Sequence, residues 1–301
     1  MDQSAHSMID QAGPGLDQRA AAAAQLPHIP REPLIVIDAS RSRTSLNLRE
    51  LFAHRELLFF LTWRDVKVRY KQTLLGASWA ILQPLLTMLI FTLLFGRFAG
   101  FHTEVPYPIF SYAGLLIWTF FSNAVTNSGN SLVGSANLIT KIYFPRMIIP
   151  TAAVAAGFVD LVLGFLPLII LMIYYRVPPQ PLNLLILPLI AMACIAALGV
   201  GMLFSALNVK YRDIRYAIPF IMQLWMFGSP VIYRLDMLPP KMQRLFMFNP
   251  LTGIIENFRV ALFGGRIQWK ELGISLGVAM FVLIASAYIF RRIEKSFADI
   301  V

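Results

Sequence analysis

Charge is what this sequence has least of. Only 14% of its 301 residues are Asp, Glu, Lys or Arg and 57% are hydrophobic, whereas a water-soluble domain carries about 25% charged residues. This composition argues against a soluble fold. The single cysteine, Cys194, sits inside an apolar run, which leaves no intramolecular disulfide and no cysteine-rich metal site. No G-x-x-x-x-G-K-[ST] phosphate loop occurs, so any ATP hydrolysis has to take place on another polypeptide. The four histidines, His6, His28, His54 and His102, lie outside the apolar runs, and there is no D-x-D pair. A membrane glycosyltransferase acting on a lipid carrier would need acids or metal ligands gathered at one interface. The first 45 residues hold Pro14, Pro27, Pro30 and Pro33 and no stretch apolar enough for a signal peptide. Residues 1–45 therefore read as a disordered cytosolic tail.

What is abundant is long apolar sequence. A helix crosses the hydrocarbon core with about 20 mainly apolar residues. Charge-free windows lie between Lys71 and Arg97, Glu104 and Lys141, Arg176 and Lys210, Arg215 and Arg234, and Glu271 and Arg291. A further run, Met147 to Tyr175, carries one acid, Asp160. The fold expected is an all-α integral membrane protein with spans at about 76–96, 107–127, 147–175, 183–207, 214–233 and 272–290. Residues 46–71 read as an amphipathic interface helix, and the apolar stretch Leu245 to Ile255, only 11 residues long and followed by Glu256 and Arg259, as a re-entrant or interfacial helix pair. With the N-terminus in the cytosol, 18 of the 26 lysines and arginines fall on the inside, which places both termini there. The net charge of +10 is thus explained by topology, without a nucleic acid partner.

Several segments invite a functional reading beside a plain one. Arg64, Lys67, Arg69 and Lys71 serve as a positive-inside anchor or attract an anionic lipid head group such as a pyrophosphate. In Asn137-Leu-Ile-Thr-Lys-Ile-Tyr-Phe-Pro-Arg146, Lys141 and Arg146 frame the apolar Ile142, Tyr143 and Phe144. That loop is a simple connection or an exposed knob for a partner. Asp160 would be the proton or cation site of an ion-coupled carrier, or a structural acid bonded to a polar neighbour. Tyr112, Trp118, Phe121, Trp225, Phe227 and Tyr233 suit a conduit along which the C–H faces of a sugar polymer slide, or an interfacial aromatic belt. Trp118 and Phe121, and Trp225 and Tyr233, are spaced to share a helix face.

The motifs Trp63-Arg-Asp-Val-Lys-Val-Arg-Tyr-Lys-Gln-Thr-Leu-Leu-Gly-Ala-Ser-Trp-Ala-Ile-Leu-Gln-Pro84, Lys141 to Pro145, Asn208-Val-Lys-Tyr-Arg-Asp213, Gly228-Ser-Pro-Val-Ile-Tyr233 and Asn249-Pro-Leu-Thr-Gly253 closely resemble those of ABC-2 family polysaccharide and polyol-phosphate exporter permeases. The resemblance covers residues 46–301. It implies a non-enzymatic permease of the bacterial inner membrane that pairs with a second copy of itself and with two cytosolic ATPase subunits, which would hold the ATP and Mg. The cargo implied is an undecaprenyl-linked glycan, of O-antigen or capsule type, or in the alternative a teichoic acid. It further implies that the 46–71 helix and the segment Asn137, Leu138, Ile139, Lys141, Ile142, Tyr143, Phe144 and Arg146 contact the ATPase, and that a segment at about 238–263 forms re-entrant helices near the outer face.

Overall fold

The computed structural model describes residues 53–71, 76, 78–98, 100, 105–141 and 144–294. The expected tail, the start of the 46–71 helix, and Ile142 and Tyr143 lie outside the described residues. Every regular element among the described residues is helical. In chain order these are α1 (Arg55–Tyr70), α2 (Ser78–Phe91) continuing as π-helix over Thr92–Phe98, α3 (Tyr107–Gly134), α4 (Ala136–Lys141) and α5 (Ile148–Tyr174). A 3-10 turn at Pro181–Leu185 leads into α6 (Ile186–Lys210), followed by α7 (Ile214–Phe227), a second 3-10 turn at Leu235–Met237, α8 (Pro240–Phe246), α9 (Pro250–Phe263) and α10 (Trp269–Glu294).

Five segments are long and apolar enough to cross a bilayer: 78–98, 107–134, 148–174, 181–210 and 269–294. The expected span at 214–233 has a different form. Its helix, α7, has 14 residues with Pro219 inside, about 21 Å of helix against a hydrocarbon core of about 30 Å. At Gly228 the chain leaves the helix for a turn that runs to Arg234.

α3 is the hub. Its sequence is apolar right round from Ile109 to Phe121, the mark of a helix enclosed by others, and 78% of its most apolar window is buried. α6 reaches it through Ala193, Ala197, Gly201 and Ser205, four buried small residues spaced one turn apart. A Cβ on Gly201 would stand 2.6 Å from Ser128 Oγ of α3, so the absence of a side chain is what sets the approach. Small-residue stripes of this kind bring spans together by close packing where lipid offers no hydrophobic drive. α5 packs Ala152, Ala153, Ala156 and Gly157 inward and leaves Val162, Ile170, Ile173 and Tyr174 exposed.

α1 lies along α5. Its packed stripe, residues 54, 57, 58, 61, 62, 65, 66, 69 and 70, follows the helical period. Leu61 joins Ile148, Ile149 and Ala152 in one apolar cluster, and Arg69 and Tyr70, further along α1, reach Asp160, further along α5. The two helices therefore run side by side in the same direction. The outer side of α1 mixes Phe59, Phe60, Trp63 and Val68 with Arg55, Arg64 and Lys67.

Candidate functional site

Three groups of residues stand out, and each is assembled from distant parts of the chain. The first is a polar junction where α1, α2, α3 and α5 meet. Asp160 is 13% exposed, and one of its oxygens accepts from Arg69 Nη1 while the other accepts from the Tyr70 hydroxyl. Burial, and then the neighbouring carboxylate, hold the Tyr70 phenol well above its usual range, so Tyr70 is a donor here. A narrow cleft of mixed lining opens beside Asp160, where Gln83 and Pro84 of α2 and Thr119 and Asn123 of α3 stand beside the apolar Leu116 and Phe120.

The four basic residues singled out in the sequence are thus divided. Arg69 is committed to Asp160, and Arg64 bonds Asp65 at 2.8 Å and Ser135 Oγ at 3.4 Å. Lys67, 5.3 Å over the Trp63 ring, and Lys71 are exposed.

The second group lies where α1, α4 and the ends of α3, α6 and α10 converge. Ile139 and Phe144 are 7% and 6% exposed and pack with Leu61, Leu132, Met202, Ala206 and Phe290. Phe144 is therefore not the exposed tip expected from the sequence. It plugs the cluster on which α1 rests, because a phenyl ring gains more from a preformed apolar niche than from water. Leu138 packs at the margin of the cluster, Asn137 and Lys141 are exposed, and Arg146 binds the end of α10, donating from Nη1 to Glu294 O at 2.8 Å and from its backbone N–H to Glu294 Oε1 at 3.2 Å.

The third group surrounds the turn after α7. Ser229, Val231 and Ile232 are at most 2% exposed, although this backbone is not helical. Its carbonyls are satisfied by side chains from elsewhere: Asn249 Nδ2 donates to Gly228 O at 2.8 Å, Arg259 to Pro230 O and Val231 O at 2.7 Å each, and Tyr107 Oη to Ile232 O at 2.8 Å. Buried backbone outside a helix is stable only when its polar groups are bonded, and this turn meets that condition. Arg259, 4% exposed, also donates to Phe110 O, stacks 3.7 Å from the Phe110 ring and pairs with Glu256 at 3.5 Å. Gly114 of α3 faces it, and a Cβ there would collide with the guanidinium. Two of the motifs noticed in the sequence, Gly228 to Tyr233 and Asn249 to Gly253, turn out to be the two sides of one hydrogen-bonded contact. The importance of Arg259 escaped the sequence reading, where it served only to end an apolar stretch. The signal was an arginine three residues after a glutamate on an otherwise apolar helix.

The aromatic residues do not line an open channel within the chain. Tyr112 and Phe121 are 0% exposed and Trp118 is 6% exposed. The Tyr112 hydroxyl donates to Gly164 O at 2.9 Å, and Phe121 packs edge-on against Trp225 at 5.3 Å. Tyr112, Trp118 and Phe121 are core residues, and with the half-buried Trp225 they lock α3 to α5 and α7. Trp225 and Tyr233 share no helix face, because α7 ends between them and Tyr233 folds back to donate to Phe227 O at 2.8 Å. Phe227, 53% exposed, belongs instead to an outward stripe on α7 with Tyr216, Phe220, Gln223 and Leu224.

Comparison with known proteins adds a family and relatives. The family described as ABC-2 type transporter matches residues 56–263. The chain is 29% identical over 256 residues to an O-antigen export system permease protein RfbA of Klebsiella pneumoniae, covering 84% of this chain and 97% of the relative. It is equally similar to the protein of that name from Myxococcus xanthus, at 29% identity over 84% of this chain and 98% of the relative. Polysialic acid transport protein KpsM of Escherichia coli is 25% identical over 73% of this chain and 86% of its own length.

Proposed function

The chain belongs to the ABC-2 type transporter family, and on that premise we propose that it is the permease subunit of an ATP-driven exporter that moves polysaccharide, of the O-antigen or capsule kind, out through the bacterial inner membrane. The observation that carries this is the match over 84% of the chain to an O-antigen export permease and over 73% to a polysialic acid transport protein, across a chain whose sequence contains no phosphate loop. It is a transporter membrane subunit rather than an enzyme, and it works with a cytosolic ATPase. A teichoic acid exporter and an enzyme acting on lipid-linked sugars are not favoured.

The finer reading is that two copies assemble with two ATPase subunits and pass an undecaprenyl-linked glycan between them. Six crossings place both termini in the cytosol. α7 and the buried turn after it together make the fifth crossing, supported by the bonded carbonyls of that turn, and α8 and α9 form the re-entrant pair on the outer side. α1, α4 and the 144–146 segment receive the ATPase. Lys67 and Lys71, exposed at the end of α1, are better placed than Arg64 and Arg69 to meet a phosphorylated head group. The conduit runs along the α7 stripe of Tyr216, Phe220, Gln223 and Phe227, which offers rings to C–H faces and an amide to hydroxyls.

Purifying the chain with its bound partners and identifying them by mass spectrometry tests the reading. A nucleotide-binding subunit and a lipid-linked glycan are expected, with ATP hydrolysis by the complex and none by the chain alone. Unchanged surface polysaccharide in cells lacking the chain would overturn it.

A further inference from the structure

We propose that Arg69, Tyr70 and Asp160 form a coupling strut that obliges α5 to follow α1, so that cutting it separates ATP hydrolysis on the partner subunit from glycan movement. The proposal rests on the exporter reading above.

Two different kinds of contact hold α1 to α5. Leu61 shares an apolar cluster with Phe144, Ile148 and Ile149, and apolar contact is non-directional, so it tolerates sliding. Further along, consecutive residues of α1 hold the two oxygens of one carboxylate. Charge-assisted bonds of this kind fix both register and rotation. A pair withdrawn from water adds little net stability relative to apolar packing, whereas fixing one arrangement against another is its best-attested use. An acid in an apolar run such as α5 is thus poorly explained by stability alone.

The position of the strut supports a transmitting role. Phe144 and Leu61 lie in one cluster, so a push at the end bearing α4 reaches α1 and the 144–146 segment together. Asp160 borders the cleft that also contains Gln83 and Pro84 of α2. Pro84 lies inside α2, where the missing amide makes bending easy. A displacement of α1 therefore reaches α5 directly and the bendable part of α2 next to it.

The test uses the complete complex with its ATPase and reads the glycan exported per ATP hydrolysed. Asp160→Asn and Arg69→Gln are expected to assemble and hydrolyse ATP while lowering that ratio about tenfold. Tyr70→Phe, which removes one hydroxyl, should lower it about threefold. The exchange Arg69→Asp with Asp160→Arg should recover most of the loss. A structural role would scale both activities together and leave the ratio unchanged, and that result overturns the strut. So does an exchange pair no better than the single variants. If Asp160→Asn fails to assemble, Tyr70→Phe and the exchange pair decide. A second measurement needs no glycan: with Cys194→Ala and a spin label on Leu166→Cys, an exposed position of α5, ATP should change the spectrum of the parent complex and leave that of Asp160→Asn unchanged. Equal ATP responses in the two would sink the strut, whereas a parent complex that responds to ATP but moves no glycan counts against the exporter reading alone.

Discussion

At the scale of single residues, the most consequential side chain is Arg259. Its guanidinium bonds three carbonyls, on Phe110, Pro230 and Val231, and faces Glu256. Removing one partner of a buried charge pair costs about 3–5 kcal/mol, so Arg259→Ala should lower the melting temperature of the purified protein sharply and reduce its yield. Arg259→Lys should recover little, since an ammonium cannot span the planar fork that three carbonyls require. Gly114→Ala should produce a similar loss by displacing the same guanidinium, and the double variant should be less destabilised than the sum of the two. Thermal unfolding of Arg259→Ala indistinguishable from the parent would show that the turn finds other donors. Little of this was legible in the sequence. Asp160 could be recognised as a costly acid in an apolar run, but its partners are 90 and 91 positions away, and Arg69 was already accounted for as a topological charge.

At the scale of elements, a long apolar run was the readable signal and geometry after a helix break was not. Five of the expected spans are long apolar helices because no helix break, and in α5 only the single acid Asp160, interrupts their hydropathy. The window from Arg215 to Arg234 is equally free of charge, yet Gly228-Ser-Pro ends the helix in the middle of it. That same break sends Trp225 and Tyr233 to different surroundings. The aromatic candidates divide for a physical reason: a ring that suits a sugar face suits a helix contact equally well, and only burial separates Tyr112, Trp118 and Phe121 from the exposed Phe227. Two alanine pairs should therefore behave differently. Phe220→Ala with Phe227→Ala is expected to fold, assemble and hydrolyse ATP while export drops several-fold. Trp118→Ala with Phe121→Ala should lose the fold itself, since truncating a buried ring costs about 3–5 kcal/mol. Normal export by the α7 pair would remove the conduit from that stripe. Phe144→Ala should weaken attachment of the ATPase through the loosened seat of α1, read by co-purification. Full recovery of the ATPase with that variant would detach the segment from coupling.

At the scale of the whole molecule, the proposed reading has the chain cross the membrane six times. Single cysteines in a Cys194→Ala background decide it. Lys241→Cys, on α8, should react with a membrane-impermeant maleimide in intact cells. Arg212→Cys, just before α7, should react only after the membrane is opened. Labelling of both from the same side would show that α7 and its turn do not cross. The buried turn also constrains how the protein is made. Tyr107 and Phe110 leave the ribosome 125 and 149 positions ahead of the Ile232 and Arg259 they bond. Until Arg259 arrives, the carbonyls of Pro230 and Val231 have no donor, and α7 alone is too short to hold a place in lipid. If the chain crosses six times as proposed, the segment from α7 to α9 enters the bilayer late and as a unit, on a surface already built by α3. A chain cut short before Arg259 would lack the donor that the Pro230 and Val231 carbonyls require, and so could not close the turn.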